Sequence, residues 1–204
     1  MKTRFIQSKE DLRNFINADL KSLGIEKISL KMRIESLIVP QIWKYEILLR
    51  KLEFFINTRK NKIGKLIVGI RLKRLGSKLG FTIEPNTFGP GLCLAHAGTI
   101  VINGKCKIGK NARIHVGVNI GNFSRLDKNW VPDNAPIIGD NVYIGPGAKL
   151  FGKIRIGNNV AIGANAVVNK DIPDNVTVAG VPAKVINHRG SEGLIIYGAN
   201  EPRV

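Results

Sequence analysis

The chain of 204 residues carries three histidines, and two of them, His96 and His115, lie 19 positions apart. Histidine is the side chain whose ordinary pKa falls between 5 and 8, so a neutral imidazole can take a proton from a hydroxyl as a general base. An isolated histidine is more often structural than catalytic, so its surroundings must decide. His188, near the C-terminal end, has no partner pattern and is read as incidental. Cys93 and Cys106 fit neither a zinc spacing nor a CxxC pair and read as buried thiols of a reducing compartment. No metal site is expected.

The elements around these residues repeat with a period of six. From Ile138 the chain runs IGDNVY, IGPGAK, LFGKIR, IGNNVA, IGANAV and VNKDIP; an earlier run opens at Ile102, Ile108, Ile114 and Ile120. A short strand, a corner and the next strand take six residues, and three edges close a triangular coil of about 18. The opening Ile, Leu or Val points inward. So does the fifth residue, which suits the small or β-branched Ala112, Val118, Val142, Ala148, Val160 and Ala166. Gly or Asn near the corners tolerates positive φ. His115 directly follows an inward Ile and lies about one coil after His96. It therefore faces outward near His96, either as a solvent-facing edge residue or as a substrate contact or relay. One loop, 122–135, fits no hexapeptide, and long irregular loops in compact domains are usually functional.

Before the repeat the chain reads as helical. Ser8 and Asp11 form a capping-box pattern ahead of Leu12, Phe15, Ile16 and Leu20. A second helix is expected from near Gln41 to Asn57 and a basic, amphipathic third from about Lys62 to Lys78, with Gly76 and Gly80 at its fraying end. The expected divisions are a basic helical segment, 1–80; a repeat domain, 81–186; and a tail, 187–204. Of the net charge of +17, residues 1–80 hold 19 Lys/Arg against 7 Asp/Glu. Such a segment suits an anionic membrane surface or a phosphate-bearing substrate, or is simply a solvated face. No nucleic-acid motif accompanies it, so nucleic acid is not expected. The start lacks the apolar stretch of a secretory signal, and no run approaches the roughly 20 apolar residues of a membrane span. A cytoplasmic location is expected, with peripheral contact at the inner membrane face as an option.

The stretch GPGLCLAHAGTIVING, IGKNARIHVGVNIGN, and APIIGDNVYIGPGAKLFG through GVPAKVI resembles the serine O-acetyltransferase family, over about half the chain. The resemblance implies a mainly β fold: a left-handed parallel β-helix of hexapeptide repeats with an N-terminal α-helical segment. It also implies acetyl-CoA as donor and assembly as a homotrimer or a dimer of trimers. His96 falls on the family's catalytic base. The family's orienting aspartate is matched by Thr82, with Glu84 two residues on as a weak substitute. Two residues that hold serine in the family are matched by Ala95 and Ala135. For coenzyme A the matching positions are Asn122, Phe123, Pro146, Gly147 and Ala164, with Lys184 and, more weakly, Lys170 for the phosphates.

The expected function is therefore acetyl-CoA-dependent O-acetylation. The loss of polar groups at 95 and 135 makes a sugar hydroxyl of a surface polysaccharide the expected acceptor. Serine acetylation in cysteine synthesis is the alternative, and a non-catalytic β-helix scaffold a second one.

Overall fold

The computed structural model describes residues 5–25, 41–122 and 134–199. Among the described residues three helices come first: α1 (Lys9–Ser22), α2 (Gln41–Thr58) and α3 (Lys62–Leu79). The expected capping box starts α1: the Ser8 hydroxyl accepts from the Asp11 N–H, and the Asp11 carboxylate accepts from the Ser8 N–H. Asn61 caps α3, and Gly80 ends it at φ +81°. Gly76 does not fray. It is buried where α3 meets the first strand, and a Cβ there would lie 2.9 Å from the Phe81 carbonyl oxygen and 3.1 Å from the Tyr45 ring.

From Phe81 onward the chain winds as a left-handed β-helix of short parallel strands. The first face stacks β1 (Phe81–Ile83), β3 (Ile100–Ile102), β6 (Asn119–Gly121), β9 (Lys149–Phe151) and β12 (Val167–Val168). The second stacks β4 (Lys107–Ile108), β7 (Ile137–Ile138) and β10 (Arg155–Ile156), extended by bridges at Phe88 and Ile172. The third stacks β2 (Cys93–Leu94), β5 (Arg113–Ile114), β8 (Tyr143–Ile144), β11 (Ala161–Ile162) and β13 (Thr177–Ala179), closed by the antiparallel β14 (Lys184–Asn187).

The register explains the period. Leu94, Ile114, Ile144, Ile162 and Val178 pair in one inward column, and all are solvent-free. Ala112, Val118, Val142, Ala148, Val160 and Ala166 are buried as expected, and Cys106 fills an equivalent place. At the corner between the second and third faces, Asn111, Asn141, Asn159 and Asn175 all hold φ between +55° and +60°. Their amides form a ladder, each donating to the next at 2.8 Å. Asparagine tolerates this conformation, and stacking turns the tolerance into a bonded column.

The segment after 186 lies against the body. The Ser191 hydroxyl donates to the Asn141 carbonyl at 2.6 Å, and Asn111 exchanges two hydrogen bonds with the Ala199 backbone.

The open start of the β-helix is covered by helices. Asp19 accepts from the N–H groups of Gly91 and Leu92, the Ser22 hydroxyl donates to the Leu92 carbonyl, and Glu46 accepts from the Leu94 N–H. Arg50 donates to the carbonyls of Phe88 and Gly89 while pairing with Asp19 and Glu53. An exposed sheet edge is a liability for mispairing. Here buried side chains take the place of a preceding coil.

Candidate active site

His96 follows β2 at the corner joining the third face to the first. The Leu94 N–H is held by Glu46 on one side, and the Ala95 N–H donates to the Ile114 carbonyl on the other. The backbone leading to His96 is thus tied both to the helices and to the second coil. The imidazole itself is exposed.

Along the third face, His115 stands beside it, with Arg113 and Tyr143 next to His115 in the second and third coils. The His96 and His115 rings are 5.8 Å apart between centroids, and His115 and Tyr143 are 5.0 Å apart. Arg113 Nε donates to His115 Nε2 at 3.4 Å, and its Nη1 reaches Cys93 Sγ at 3.7 Å. Burial, then the neighbouring charges of Arg113 and His96, pull His115 below its ordinary pKa. Its ring is therefore neutral at neutral pH, and it can hydrogen-bond an acceptor without adding a second positive charge. Burial pushes the Cys93 thiol up to about 11 and the Cys106 thiol up to about 12, so neither serves as a thiolate nucleophile.

Backbone pairing then continues up the same edge. Gly117 N–H donates to the Thr99 carbonyl, Gly147 to Val116, and Asn165 to Pro146. Pro146, Gly147 and Ala164 therefore lie above His96 in successive coils, at about 4.8 Å per coil. Pro146 and Ala164 are exposed and small, leaving a low wall with accessible backbone. Lys184 is exposed on β14 at the far end of the third face.

Other expected residues are placed elsewhere. Glu84 lies beyond Ile83 at the opposite end of the first face, beside Gly104, roughly 10 Å of strand away from the His96 corner. No hydrogen bond or ion pair joins it to His96, so the weak assignment of Glu84 as the orienting acid is not supported. Thr82 pairs with Val101 on the first face. Asn122 follows β6, and Lys170 follows β12, so both sit at the corner between the first and second faces. Asn122 keeps its side-chain carbonyl oxygen buried and without a hydrogen-bond partner among the described residues. Loop 122–135 leaves from this same corner, with Phe123 and residues up to 133 outside the described residues. Ala135 is buried near the second face. Among the described residues no cluster of His, Cys, Asp or Glu could hold a metal ion.

Residues 135–170 match the family model for bacterial transferase hexapeptide (six repeats). A serine acetyltransferase of Staphylococcus epidermidis is 38% identical over 112 residues, which are 54% of this chain and 51% of the relative. One from Staphylococcus aureus is 39% identical with the same coverage. Among solved structures, serine acetyltransferase from Brucella abortus in complex with coenzyme A aligns with a TM-score of 0.72 at 26% identity, covering 89% of this chain and 70% of that one. The Neisseria gonorrhoeae enzyme aligns with 0.68 at 28% identity, covering 89% and 67%. In its repeat and its fold the chain is similar to serine acetyltransferases.

It spans about half the length of the curated relatives it matches. These similarities overturn the expected sugar acceptor, because the relatives and structures named above are serine acetyltransferases. The expectation rested on Ala95 and Ala135 lacking polar side chains. It took no account of Arg113 and Tyr143, which contact His115 and carry groups that can hydrogen-bond a small polar acceptor. Sequence reading missed them because the repeat pattern says which residues face outward, not which of them stack. A signal was present: counting repeat openings in threes places 93, 113 and 143 in one column.

Proposed function

We propose that this chain transfers the acetyl group of acetyl-CoA to the hydroxyl of L-serine, with His96 as general base. The observation that carries the reading is the His96–His115 pair at the foot of an edge lined by Pro146, Gly147 and Ala164. His96 removes the hydroxyl proton as the serine oxygen attacks the thioester carbonyl. The carbon–sulfur bond then breaks, and the imidazolium returns its proton to the departing thiolate, giving O-acetylserine and coenzyme A. His115 stands next to the base, with Tyr143 and Arg113 next to His115, and Arg113 offers a cation to the acceptor's carboxylate. Small residues along the edge suit the pantetheine arm, and Lys184 suits the nucleotide phosphates.

The reading includes a homotrimer. Asn122 and Lys170 sit one corner away from His96, so within a single chain they cannot line the same groove. A neighbouring subunit's corner set against the His96 edge would join the two groups. Exposed Ile137, Val185 and Ile186 supply apolar surface for such packing. Light scattering at three times the chain mass, or a multiple of it, is the expected result.

A cytoplasmic place with peripheral contact to an anionic membrane belongs to the same proposal. It is supported by the basic first 80 residues. No described helix is long and apolar enough to cross a membrane.

The test of the chemistry is thiol release from acetyl-CoA with L-serine. Turnover that falls by about 10²–10⁴ in His96→Ala is expected. Absence of thiol release with serine, from protein shown to be folded, would refute the proposal.

A further inference from the structure

Helix α3 turns an apolar stripe away from the protein. Ile63, Leu66, Ile67 and Ile70 are 73%, 63%, 48% and 46% exposed. At about 100° per residue they fall within one arc of about 100°, opposite the arc of Leu72, Gly76 and Leu79 that packs on the core. Single exposed apolar residues are unremarkable, but four contiguous ones on one helix face mark an interaction surface.

The charges around the stripe narrow the partner. Arg71 flanks it on one side and Lys62 and Lys73 on the other, with Arg74 continuing its line. The whole helix, KIGKLIVGIRLKRLGSKL, holds no Asp or Glu. Beside it, between α2 and α3, lies a groove of about 510 Å³ floored by Ile47, Leu48 and Leu75 and rimmed by Lys44, Arg71, Arg74 and Lys78. An apolar strip between rows of cations is the pattern of a helix lying in a bilayer interface, where apolar side chains enter the acyl boundary and cations meet anionic headgroups. A second copy meeting this face through a two-fold axis would set cations against cations with no carboxylate on the helix between them. Nucleic acid would satisfy the cations and leave the stripe without an apolar partner.

We propose that α3 is an interfacial helix that seats the protein on an anionic lipid surface through Ile63, Leu66, Ile67 and Ile70. This rests on the peripheral-contact part of the reading above and is independent of the acetyl transfer.

The test is co-sedimentation of the full chain with vesicles of phosphatidylcholine, with and without about one third phosphatidylglycerol, at low and high salt. Binding to the anionic vesicles only, weakened by salt, is expected. The variant Leu66→Ser/Ile67→Ser/Ile70→Ser keeps every charge and should bind at least ten-fold less. Ile63→Ser, at the most exposed position, should lower binding in the same direction and serves if the triple variant misfolds.

No binding of the wild type to anionic vesicles would overturn both the peripheral contact and this inference. Binding that the stripe variants leave unchanged would overturn the inference alone. A stripe variant that lowers the assembly mass in light scattering without changing vesicle binding would assign the face to a second copy. Binding of a random oligonucleotide that the stripe variants leave unchanged, with none to vesicles, would assign the cations to nucleic acid.

Discussion

Replacing Arg50 by Met tests whether the open end of the β-helix is held by buried charge. Arg50 is fully buried and makes five hydrogen bonds: two to Asp19 (2.7 and 3.2 Å), one to Glu53 (3.0 Å), and one each to the carbonyls of Phe88 (2.9 Å) and Gly89 (2.6 Å). Burial alone would lower its pKa. The carboxylates of Asp19 and Glu53 outweigh that and hold it above its ordinary value. Methionine preserves much of the volume but leaves two buried carboxylates without a cation and two carbonyls without donors. Breaking one side of a buried ion pair costs about 3–5 kcal/mol. With a urea m-value of about 2–3 kcal/mol/M for a chain this size, the midpoint should fall by about 1–2 M.

The loss should depend on pH. Burial already raises Asp19 and Glu53, and Arg50 pulls both back down. Without Arg50 their pKa values rise further, so the folded variant binds more protons than the unfolded chain. Stability of the variant is then retained at low pH and lost as pH rises above the ordinary carboxylate range. Urea unfolding followed by far-UV circular dichroism at pH 5 and pH 8, at one protein concentration, measures both effects. A deficit under about 0.5 kcal/mol, or one equal at the two pH values, would refute the reasoning.

Two further perturbations probe the same junction. Glu46 is buried with no ion pair among the described residues, and burial, then the Asp19 charge, holds it well above the usual range. Its contribution is therefore full below about pH 4 and declines as pH rises. Glu46→Gln keeps an acceptor for the Leu94 N–H and should flatten that decline, nearly matching wild type at pH 5 and exceeding it at pH 8 in the same urea assay. Gly76→Ala improves helix propensity by up to about 1 kcal/mol, but the new Cβ meets the Phe81 carbonyl oxygen at 2.9 Å. A net loss of about 1–3 kcal/mol is expected from overpacking, and a higher melting temperature would contradict the close approach.

The architecture was legible because each repeat declares its inward positions locally. Openings from Ile102 to Val168 and fifth positions such as Ala112 and Val160 are buried where the period places them. The helices were legible for the same reason: Ser8 with Asp11, and Gly80, mark ends by local chemistry. The site was only partly legible. His96 and His115 meet as their spacing implies. Asn122 and Lys170 occupy a different corner from Pro146 and Ala164, as positions facing one another across a groove between subunits would. Period six tells inward from outward; only period 18 tells one corner from another. Openings that lead to the His96 corner are Ile114, Ile144 and Ile162, whereas Ile120 and Val168 lead to the next.

What stayed hidden is the polar junction, and its cause is general. Periodicity assigns charged residues to water, so a reader of α2 turns Glu46, Arg50 and Glu53 outward; all three are buried. The reason lies outside that helix. A β-helix begins with a coil whose backbone N–H and C=O groups have no coil beneath them, and unpaired backbone groups cannot be buried cheaply. Apolar side chains could cover that end but not satisfy it. Carboxylates facing the N–H groups of Gly91, Leu92 and Leu94, and a guanidinium facing the carbonyls of Phe88 and Gly89, do both. Since the Leu94 N–H lies two residues before His96, the junction that closes the fold also fixes where His96 stands.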